Sequence, residues 1–206
     1  MKDLAIGDWL SALADRTPTP GGGAAAAMSA ATSAALIGMV TNYTTGARYA
    51  DREARMAELN AESAYLAADA IGLAAADEEA FGAVGAAYQL PKDSDEEKAT
   101  RREAIQRALV GAAVPPARTG RLALRLVEIA AELVESGNPN VISDVAVAAS
   151  LARAALEAAV VNVEINRSQI RDAVVVAELT AVVAELTVGA RAAGEVTSRV
   201  QEKINK

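Results

Sequence analysis

The chain contains no histidine and no cysteine, so few kinds of side chain are left that could move a proton. This composition excludes histidine-based catalytic triads, thiolate nucleophiles and most zinc sites. General acid–base chemistry falls to carboxylates, tyrosine, lysine and water. The candidate catalytic residues are therefore carboxylates that stand among apolar residues or beside other polar groups.

One such cluster is Asp77-Glu78-Glu79-Ala80-Phe81, which follows an alanine-rich run and contains the only phenylalanine of the chain. Two interpretations are open. The three carboxylates can form a solvated helix face. Alternatively, Asp77 faces an inner surface, where partial burial tunes its pKa for proton transfer.

A second polar feature is Pro18-Thr19-Pro20-Gly21-Gly22-Gly23, which stands directly before another alanine-rich run. The first N–H groups of a helix lack partners and carry partial positive charge, so a small anionic or carbonyl-bearing ligand can bind beside these glycines. Alternatively, the glycines only permit tight packing of the helix start against a neighbour. A P-loop is excluded because no Gly-Lys-Ser/Thr follows, and a dinucleotide fingerprint because no strand precedes.

A third feature is the turn Gly137-Asn138-Pro139-Asn140, which leads into Ser143 and Asp144. Ordinary turns seldom need two asparagines, a serine and an aspartate so closely placed. The structural interpretation is that Asn140 or Ser143 caps the next helix.

Composition limits the partners. With 206 residues, of which 52% are hydrophobic and only 3% aromatic, the chain is expected to form one domain, residues 1–206, of closely packed helices with small side chains. Small-residue faces also suit contacts between subunits. The formal charge of −7 repels polyanions, so nucleic acid is not an expected partner.

The N-terminal residues carry acids where a signal peptide would be apolar, and residues 24–40 contain hydroxyl groups and mostly alanine. Neither stretch favours a signal peptide or a membrane span. The lack of cysteine fits a reducing compartment. We therefore expect a cytoplasmic protein that is not bound to a membrane.

Apolar residues recur at helical spacing and no strand pattern occurs, which predicts an all-α, up-and-down bundle of six to eight helices. Asp3 is expected to cap a first short helix. Ser94 and Glu97 have the spacing of a capping box. Pro115-Pro116 is expected to end the helix that this box begins.

Three separated stretches together resemble the cyclodeaminase/cyclohydrolase family of folate enzymes, over nearly the whole chain. They are Pro18 to Gly23 leading to Asn42-Tyr43-Thr44, residues 96–106, and Gly137 to Asp144 leading to Asn162-Val163-Glu164-Ile165-Asn166. The chain departs from the family pattern at Ala24, where serine is frequent, and at Tyr43, where a leucine-like residue is usual.

The resemblance implies an all-helical homodimer that acts at the N5/N10 bridge of tetrahydrofolate, with no cofactor beyond that substrate and no metal. The first expected activity is formimidoyltetrahydrofolate cyclodeaminase, in which N10 attacks the formimidoyl carbon and ammonia leaves. The alternative is methenyltetrahydrofolate cyclohydrolase, in which water opens the methenyl bridge to formyltetrahydrofolate. A further alternative is a folate-binding or helical interaction protein without catalysis.

The resemblance also implies roles for the polar residues. Asp144 is the first choice for the acid or base and Asp77 the second. Asn138, Asn140 and Ser143 are expected to bind the polar edge of the pterin, and Arg48, Lys98 or Arg102 the glutamate carboxylates. The remaining expected substrate-binding residues are the amides of Gly21, Gly22 and Gly23, the rings of Phe81 or Tyr88 on the pterin face, and Pro20, Asn42 and Asn162.

Overall fold

A computed structural model describes residues 5–206, and within that range the chain forms six α-helices and no strand. The predicted all-α class is confirmed, and six lies within the predicted range. The expected cap at Asp3 lies outside the described residues. The helices are α1 (Ile6–Ala14), α2 (Gly22–Asn42), α3 (Glu53–Tyr88), α4 (Asp95–Ser136), α5 (Ile142–Arg167) and α6 (Ala173–Ile204), with short 3-10 turns at Ala47–Tyr49 and Pro139–Val141.

Short loops join the five long helices, and each of them packs against the next along the chain. Helix α2 also packs against α4 and α5, because its alanine faces let neighbouring backbones approach closely. Inside this contact the buried Ser33 hydroxyl donates to the Ala148 carbonyl at 2.8 Å. Helices α2 and α6 are long and apolar enough to cross a membrane by length and composition alone, but 56% of the apolar window of α2 is buried in the bundle.

A ladder of ion pairs fixes the register of α3 against α4. Its pairs recur every seven residues on both helices, which is the spacing that keeps side chains on one seam of two antiparallel helices. They are Arg55 with Glu132 at 2.8 Å, Arg125 with Glu62 at 2.6 Å, and Arg118 with Asp69 at 3.2 Å. The hydrogen bonds from these arginines lower the pKa of Glu62 and of Glu132.

The prediction that Pro115-Pro116 ends a helix is wrong, because α4 continues through both residues to Ser136. Both prolines are buried in the bundle, so packing on each side holds the helix together. A proline lacks the N–H that would bond four residues back, so Pro116 leaves the Ala112 carbonyl without its helical donor. The Asn166 side chain of α5 donates to that carbonyl at 3.2 Å instead.

The two other local predictions have different outcomes. The capping box is confirmed, since Ser94 Oγ accepts from the Glu97 amide and Glu97 accepts from the Ser94 amide. A cap of α5 by Asn140 or Ser143 is wrong, because the N-cap residue of α5 is Val141 and it makes no side-chain cap bond. Asn138 instead caps the 3-10 turn, where its Oδ1 accepts from the Asn140 amide at 3.0 Å.

Asn138 also joins the turn at residues 137–141 to the loop that follows α2. Its side chain donates to the Tyr43 carbonyl at 2.7 Å, and its backbone N–H donates to Thr44 Oγ1 at 3.0 Å. Two of the family-like motifs therefore meet at one end of the bundle, where they hold two loops together.

Candidate functional site

A cavity of about 240 Å³ lies at the opposite end of the bundle, between the start of α2 and the facing parts of α3, α4 and α5. We call it the Asp77 cavity, after the one carboxylate among its lining residues. These are Pro18, Thr19, Gly21, Gly22, Gly23, Asp77, Phe81, Val84, Tyr88, Leu109, Ala112, Asn162, Ile165, Asn166 and Gln169.

Asp77 is partly buried in the wall of this cavity. Burial raises the pKa of its carboxyl above the ordinary value of 3.8, the backbone amide of Ala24 opposes the rise, and the negative charge of Glu78 adds to it. A carboxylate with a raised pKa is a stronger base than an ordinary aspartate, which suits proton transfer near neutral pH. Asp77 therefore faces an inner surface, as the second interpretation of residues 77–79 expects, while Glu79 is exposed to solvent.

Gly23 provides the space that Asp77 occupies. A Cβ atom at position 23 would overlap both carboxylate oxygens of Asp77, whereas a Cβ atom at Gly22 would lie 3.9 Å from the nearest atoms of Asn162. The first turn of α2 thus packs tightly against a neighbour, and that neighbour is itself an anion. The positive end of the helix therefore faces a carboxylate that belongs to the chain.

Asn162 and Asn166 lie one helical turn apart on α5, and both line the cavity. Asn162 donates to the Ala158 carbonyl at 2.8 Å, and Asn166 donates to the Asn162 carbonyl at 2.9 Å as well as to Ala112. Within residues 5–206, neither side-chain oxygen accepts a hydrogen bond, so both remain as acceptors for a donor in the cavity.

Phe81 and Tyr88 supply two aromatic rings at the cavity wall, with exposed fractions of 53% and 45%. Tyr88 is held in place from two sides. Its hydroxyl donates to Gln169 Oε1 at 3.1 Å, and the Arg101 guanidinium lies 5.6 Å from its ring centroid. These rings offer a flat apolar contact for a planar heterocycle.

The structure thus brings together seven of the expected site residues: Gly21, Gly22, Gly23, Asp77, Phe81, Tyr88 and Asn162. Pro20 is the residue between the lining residues Thr19 and Gly21. Sequence reasoning missed Asn166 and Gln169. The four-residue spacing from Asn162 would have identified Asn166 as a member of the same helix face.

Within one chain, the cavity does not include Asn138, Asn140, Ser143 or Asp144. Asp144 is in the first turn of α5 and Asn162 near its end, so 18 residues of helix separate them by about 27 Å. The expectation that the glycines and this turn form one pocket is therefore wrong for a single chain. A catalytic role for Asp144 stays a prediction.

The expected glutamate-binding cations lie in three different places. Arg48 lines another cavity near the turn at residues 137–141, beside the Tyr49 ring at 5.5 Å. Lys98 pairs with Asp95 at 3.1 Å, and Arg102 lines an open cavity next to the Asp77 cavity. Asn42 is exposed at the end of α2, far from the glycines.

Among residues 5–206, no group of three or more histidine, cysteine, aspartate or glutamate side chains is arranged to hold a metal ion.

Comparisons with known proteins identify similar chains. The family model described as formiminotransferase-cyclodeaminase matches residues 5–185. The chain is 44% identical over 168 residues to the methenyltetrahydrofolate cyclohydrolase of Methylorubrum extorquens, and the aligned region covers 81% of each protein. It is 33% identical over 171 residues to the formimidoyltransferase-cyclodeaminase of Rattus norvegicus. That aligned region covers 82% of this chain but only 32% of the relative.

A solved structure is also similar to the whole chain. It is the formiminotetrahydrofolate cyclodeaminase from Thermotoga maritima, with a TM-score of 0.88 and 30% sequence identity. The match covers 100% of this chain and 99% of that one.

Proposed function

The chain belongs to the formiminotransferase-cyclodeaminase family, and we propose that it is an enzyme acting at the N5/N10 bridge of tetrahydrofolate. The observation that carries this proposal is the Asp77 carboxylate in a cavity with aromatic rings and amide acceptors. The cavity is smaller than the roughly 300 Å³ at which sites for drug-sized ligands begin, so it suits the pterin end of a folate rather than the whole molecule.

Both candidate reactions need a base at the bridge. In the cyclohydrolase reaction, water adds to the methenyl carbon and gives up one proton. The new hydroxyl group then loses its proton as the formyl C=O forms, the bond from that carbon to N5 breaks, and N5 takes up a proton, which leaves the formyl group on N10. In the cyclodeaminase reaction, N10 attacks the formimidoyl carbon, and the nitrogen of that group takes up the N10 proton and one from solvent before it leaves as ammonia.

Asp77 is the residue we assign to this proton transfer. Its carboxylate accepts the proton from water in one reaction and from N10 in the other. One well-placed group of this kind contributes about 10²- to 10⁴-fold in rate. Its negative charge also stabilises the cationic methenyl carbon, and the Ala24 backbone amide at the start of α2 favours the ionised form by lowering the pKa of the carboxyl.

The other cavity residues position the substrate. The side-chain oxygens of Asn162 and Asn166 accept hydrogen bonds from the N–H groups of the pterin, and Phe81 and Tyr88 pack on its face. The chemistry requires no cofactor beyond the folate itself. The absence of one, like the cytoplasmic location, stays a prediction.

Of the two reactions, we propose the cyclohydrolase first. Identity with the M. extorquens cyclohydrolase is higher than with either cyclodeaminase named above, and it covers the same large share of both proteins. The cyclodeaminase remains the second candidate, because the T. maritima protein of that name matches over the full length.

The deciding experiment gives the purified protein each substrate separately. With 5,10-methenyltetrahydrofolate, the absorbance of the bridge is followed against the uncatalysed rate. With 5-formimidoyltetrahydrofolate, released ammonia is measured. Accelerated ring opening without ammonia release supports the cyclohydrolase, and the reverse supports the cyclodeaminase. Folate binding without either activity would reject both in favour of a binding protein.

We also propose that the protein is a homodimer formed through α5 and α6. Only 28% of the apolar window of α6 is buried. Its outer face carries a stripe of exposed small apolar residues at alternating spacings of three and four, the pattern of a helix seam. The stripe consists of Val174, Ala177, Ala181, Ala184 and Val188.

Helix α5, which packs against α6, also carries exposed apolar residues. Val147, Ala154, Val161 and Ile165 are exposed along one face of α5, and Ile165 also lines the Asp77 cavity. A second copy on these two stripes would cover apolar surface that a lone chain leaves in water, and it would lie at the edge of the cavity.

Light scattering after size exclusion tests this assembly. Val188→Asp should shift the protein toward monomer, while Tyr65→Asp, at a side chain 68% exposed on α3, should leave the dimer intact. A wild-type protein that is monomeric at micromolar concentration would contradict the proposal.

A further inference from the structure

A group of polar side chains lies at the end of the bundle opposite the Asp77 cavity. Asn140, Ser143 and Asp144 stand in the turn before α5 and in the first turn of that helix. Unlike Asn138, these three side chains make no hydrogen bond to another of residues 5–206. The positive end of α5 favours an acid at position 144, but it gives no reason for two further polar groups beside it.

Helix α5 connects this group with the cavity along one face. Its exposed apolar residues Val147, Ala154, Val161 and Ile165, which we call the α5 stripe, recur at spacings of seven, seven and four. These spacings keep the side chains on one side of a helix. The stripe begins three residues after Asp144 and ends at Ile165, which lines the Asp77 cavity.

Two α5 helices paired antiparallel about a two-fold axis match this stripe with itself, because a two-fold interface brings the same patch of both copies together. With the axis at the middle of the stripe, Val147 of one copy meets Ile165 of the partner subunit. Arg153 and Glu157 are exposed near that middle and pair with each other at 2.8 Å within the chain. Each of them then also lies near its opposite charge on the partner subunit, so apolar contacts and charges agree on one register.

This register carries Asp144 of the partner subunit to the mouth of the Asp77 cavity. It places that residue level with Ser168, which lies between the lining residues Ile165 and Gln169. The axes of packed helices are about 8–10 Å apart, so a side chain on one helix reaches the surface of the other. Residues that lie at opposite ends of one chain are therefore neighbours across the two-fold axis.

We propose that the active site is shared between two subunits, with Asp144 of the partner subunit as a second carboxylate at the Asp77 cavity. This inference rests on the proposed function and on the proposed dimer. The cavity has no lysine or arginine among its lining residues, and the methenyl bridge is cationic, so a second anion at its mouth attracts the substrate. The Asp144 carboxylate accepts a hydrogen bond from an N–H group of the folate.

Mixed dimers test the shared site directly. As pure dimers, Asp77→Asn should lose about 10²- to 10⁴-fold in turnover, and Asp144→Asn about 10- to 150-fold, the contribution of a hydrogen bond to a charged group. A mixed dimer of the two variants, purified through two different affinity tags, has one site with both carboxylates intact and one site with neither. It should therefore recover about half of the wild-type turnover per dimer, because the two sites of the wild type are equivalent.

The matched control combines Asp77→Asn with Gly23→Ala, since both residues belong to the same cavity of one chain. Neither site of that mixed dimer is intact, so its activity should stay at the mean of the two pure variants. Three results would overturn the inference: no recovery in the Asp77→Asn/Asp144→Asn mixed dimer, recovery in the control, or wild-type turnover by the pure Asp144→Asn dimer.

Cross-linking tests the geometry without turnover and without a change at either carboxylate. The chain has no cysteine, so the exposed residues Ser143 and Ser168 can be replaced by the only two thiols. A bifunctional thiol reagent that spans about 10 Å should link Ser143→Cys/Ser168→Cys into a covalent dimer, because these positions meet only across the axis. Each single variant should remain a monomer on a denaturing gel.

The cross-linking result separates the shared site from the proposed activity. A double variant that forms no covalent dimer would reject the shared site, and so would cross-linking of the single variant Ser143→Cys, which indicates parallel helices. The expected covalent dimer in a protein that turns over neither folate would support the shared cavity and reject only the activity.

Discussion

Replacing Gly23 by alanine would put a methyl group where the Asp77 carboxylate now lies. The carboxylate would have to move by roughly 1 Å or more to regain van der Waals separation. A displacement of that size in a catalytic group lowers kcat by about 10²-fold. Overpacking lowers the free energy of unfolding by about 1–3 kcal/mol, while the better helix propensity of alanine returns up to about 1 kcal/mol.

Two other glycines provide matched controls for Gly23→Ala. A Cβ atom at Gly72, on the same helix as Asp77, meets nothing within 4 Å, so Gly72→Ala should keep wild-type kcat and gain about 0.5–1 kcal/mol. Gly22→Ala places its Cβ 3.9 Å from Asn162, an ordinary contact, so its effect on kcat should be far smaller than that of Gly23→Ala.

The assay is the steady-state rate with each folate substrate, together with urea unfolding followed by circular dichroism. A folded Gly23→Ala protein with wild-type kcat would refute the assignment of Asp77 to the reaction. An equal loss in Gly72→Ala would show that the effect comes from the helices in general rather than from the carboxylate.

Three further predictions concern single contacts. Asp77→Asn should lower kcat by about 10²- to 10⁴-fold and yet raise the free energy of unfolding at pH 7. The folded-state pKa of Asp77 is raised, so the ionised carboxylate destabilises the fold above that pKa, and the gain in stability of the Asn variant should vanish below pH 3.8. Equal urea midpoints for the wild type and the variant at pH 7 would contradict this. Glu62→Gln, Arg125→Gln and the double variant should give a coupling energy of about 0.2–1 kcal/mol at pH 7. The folded-state pKa of Glu62 is lowered, so this coupling should be present above pH 4.5, the ordinary pKa of a glutamate, and disappear as the pH falls through the folded-state pKa. A coupling that persists at low pH would count against the ladder. Asn166→Ala should lower the free energy of unfolding by about 1–3 kcal/mol because it leaves the Ala112 carbonyl without a donor, and a thermal melt unchanged from wild type would contradict that bond.

Local signals in the sequence predicted local structure well. The capping box at Ser94 and Glu97 depends only on residues three apart, and it forms as predicted. The alanine-rich core also follows from composition, because few large side chains are present to fill gaps between helices. These features need no knowledge of the partner helix.

Signals that depend on distant parts of the chain were harder to interpret. Pro115-Pro116 has the sequence of a helix end, but the donor that replaces a missing helical amide comes from Asn166, fifty residues later in the chain. Similarly, three consecutive carboxylates look alike in sequence, and only the contact with Gly23 distinguishes Asp77. The motif around Asn138 has the composition expected of a substrate-binding turn, whereas in a single chain it joins two loops.

The proline at position 116 connects the stability of α4 with the wall of the Asp77 cavity, because both depend on the donor to the Ala112 carbonyl. Pro116→Ala would restore a helical amide in the middle of a 42-residue helix, a change worth up to about 3 kcal/mol. A screen for thermostable variants would select it. The restored amide would then compete with Asn166 for the Ala112 carbonyl and loosen a wall of the cavity, so selection for stability and selection for turnover should favour different residues at this position.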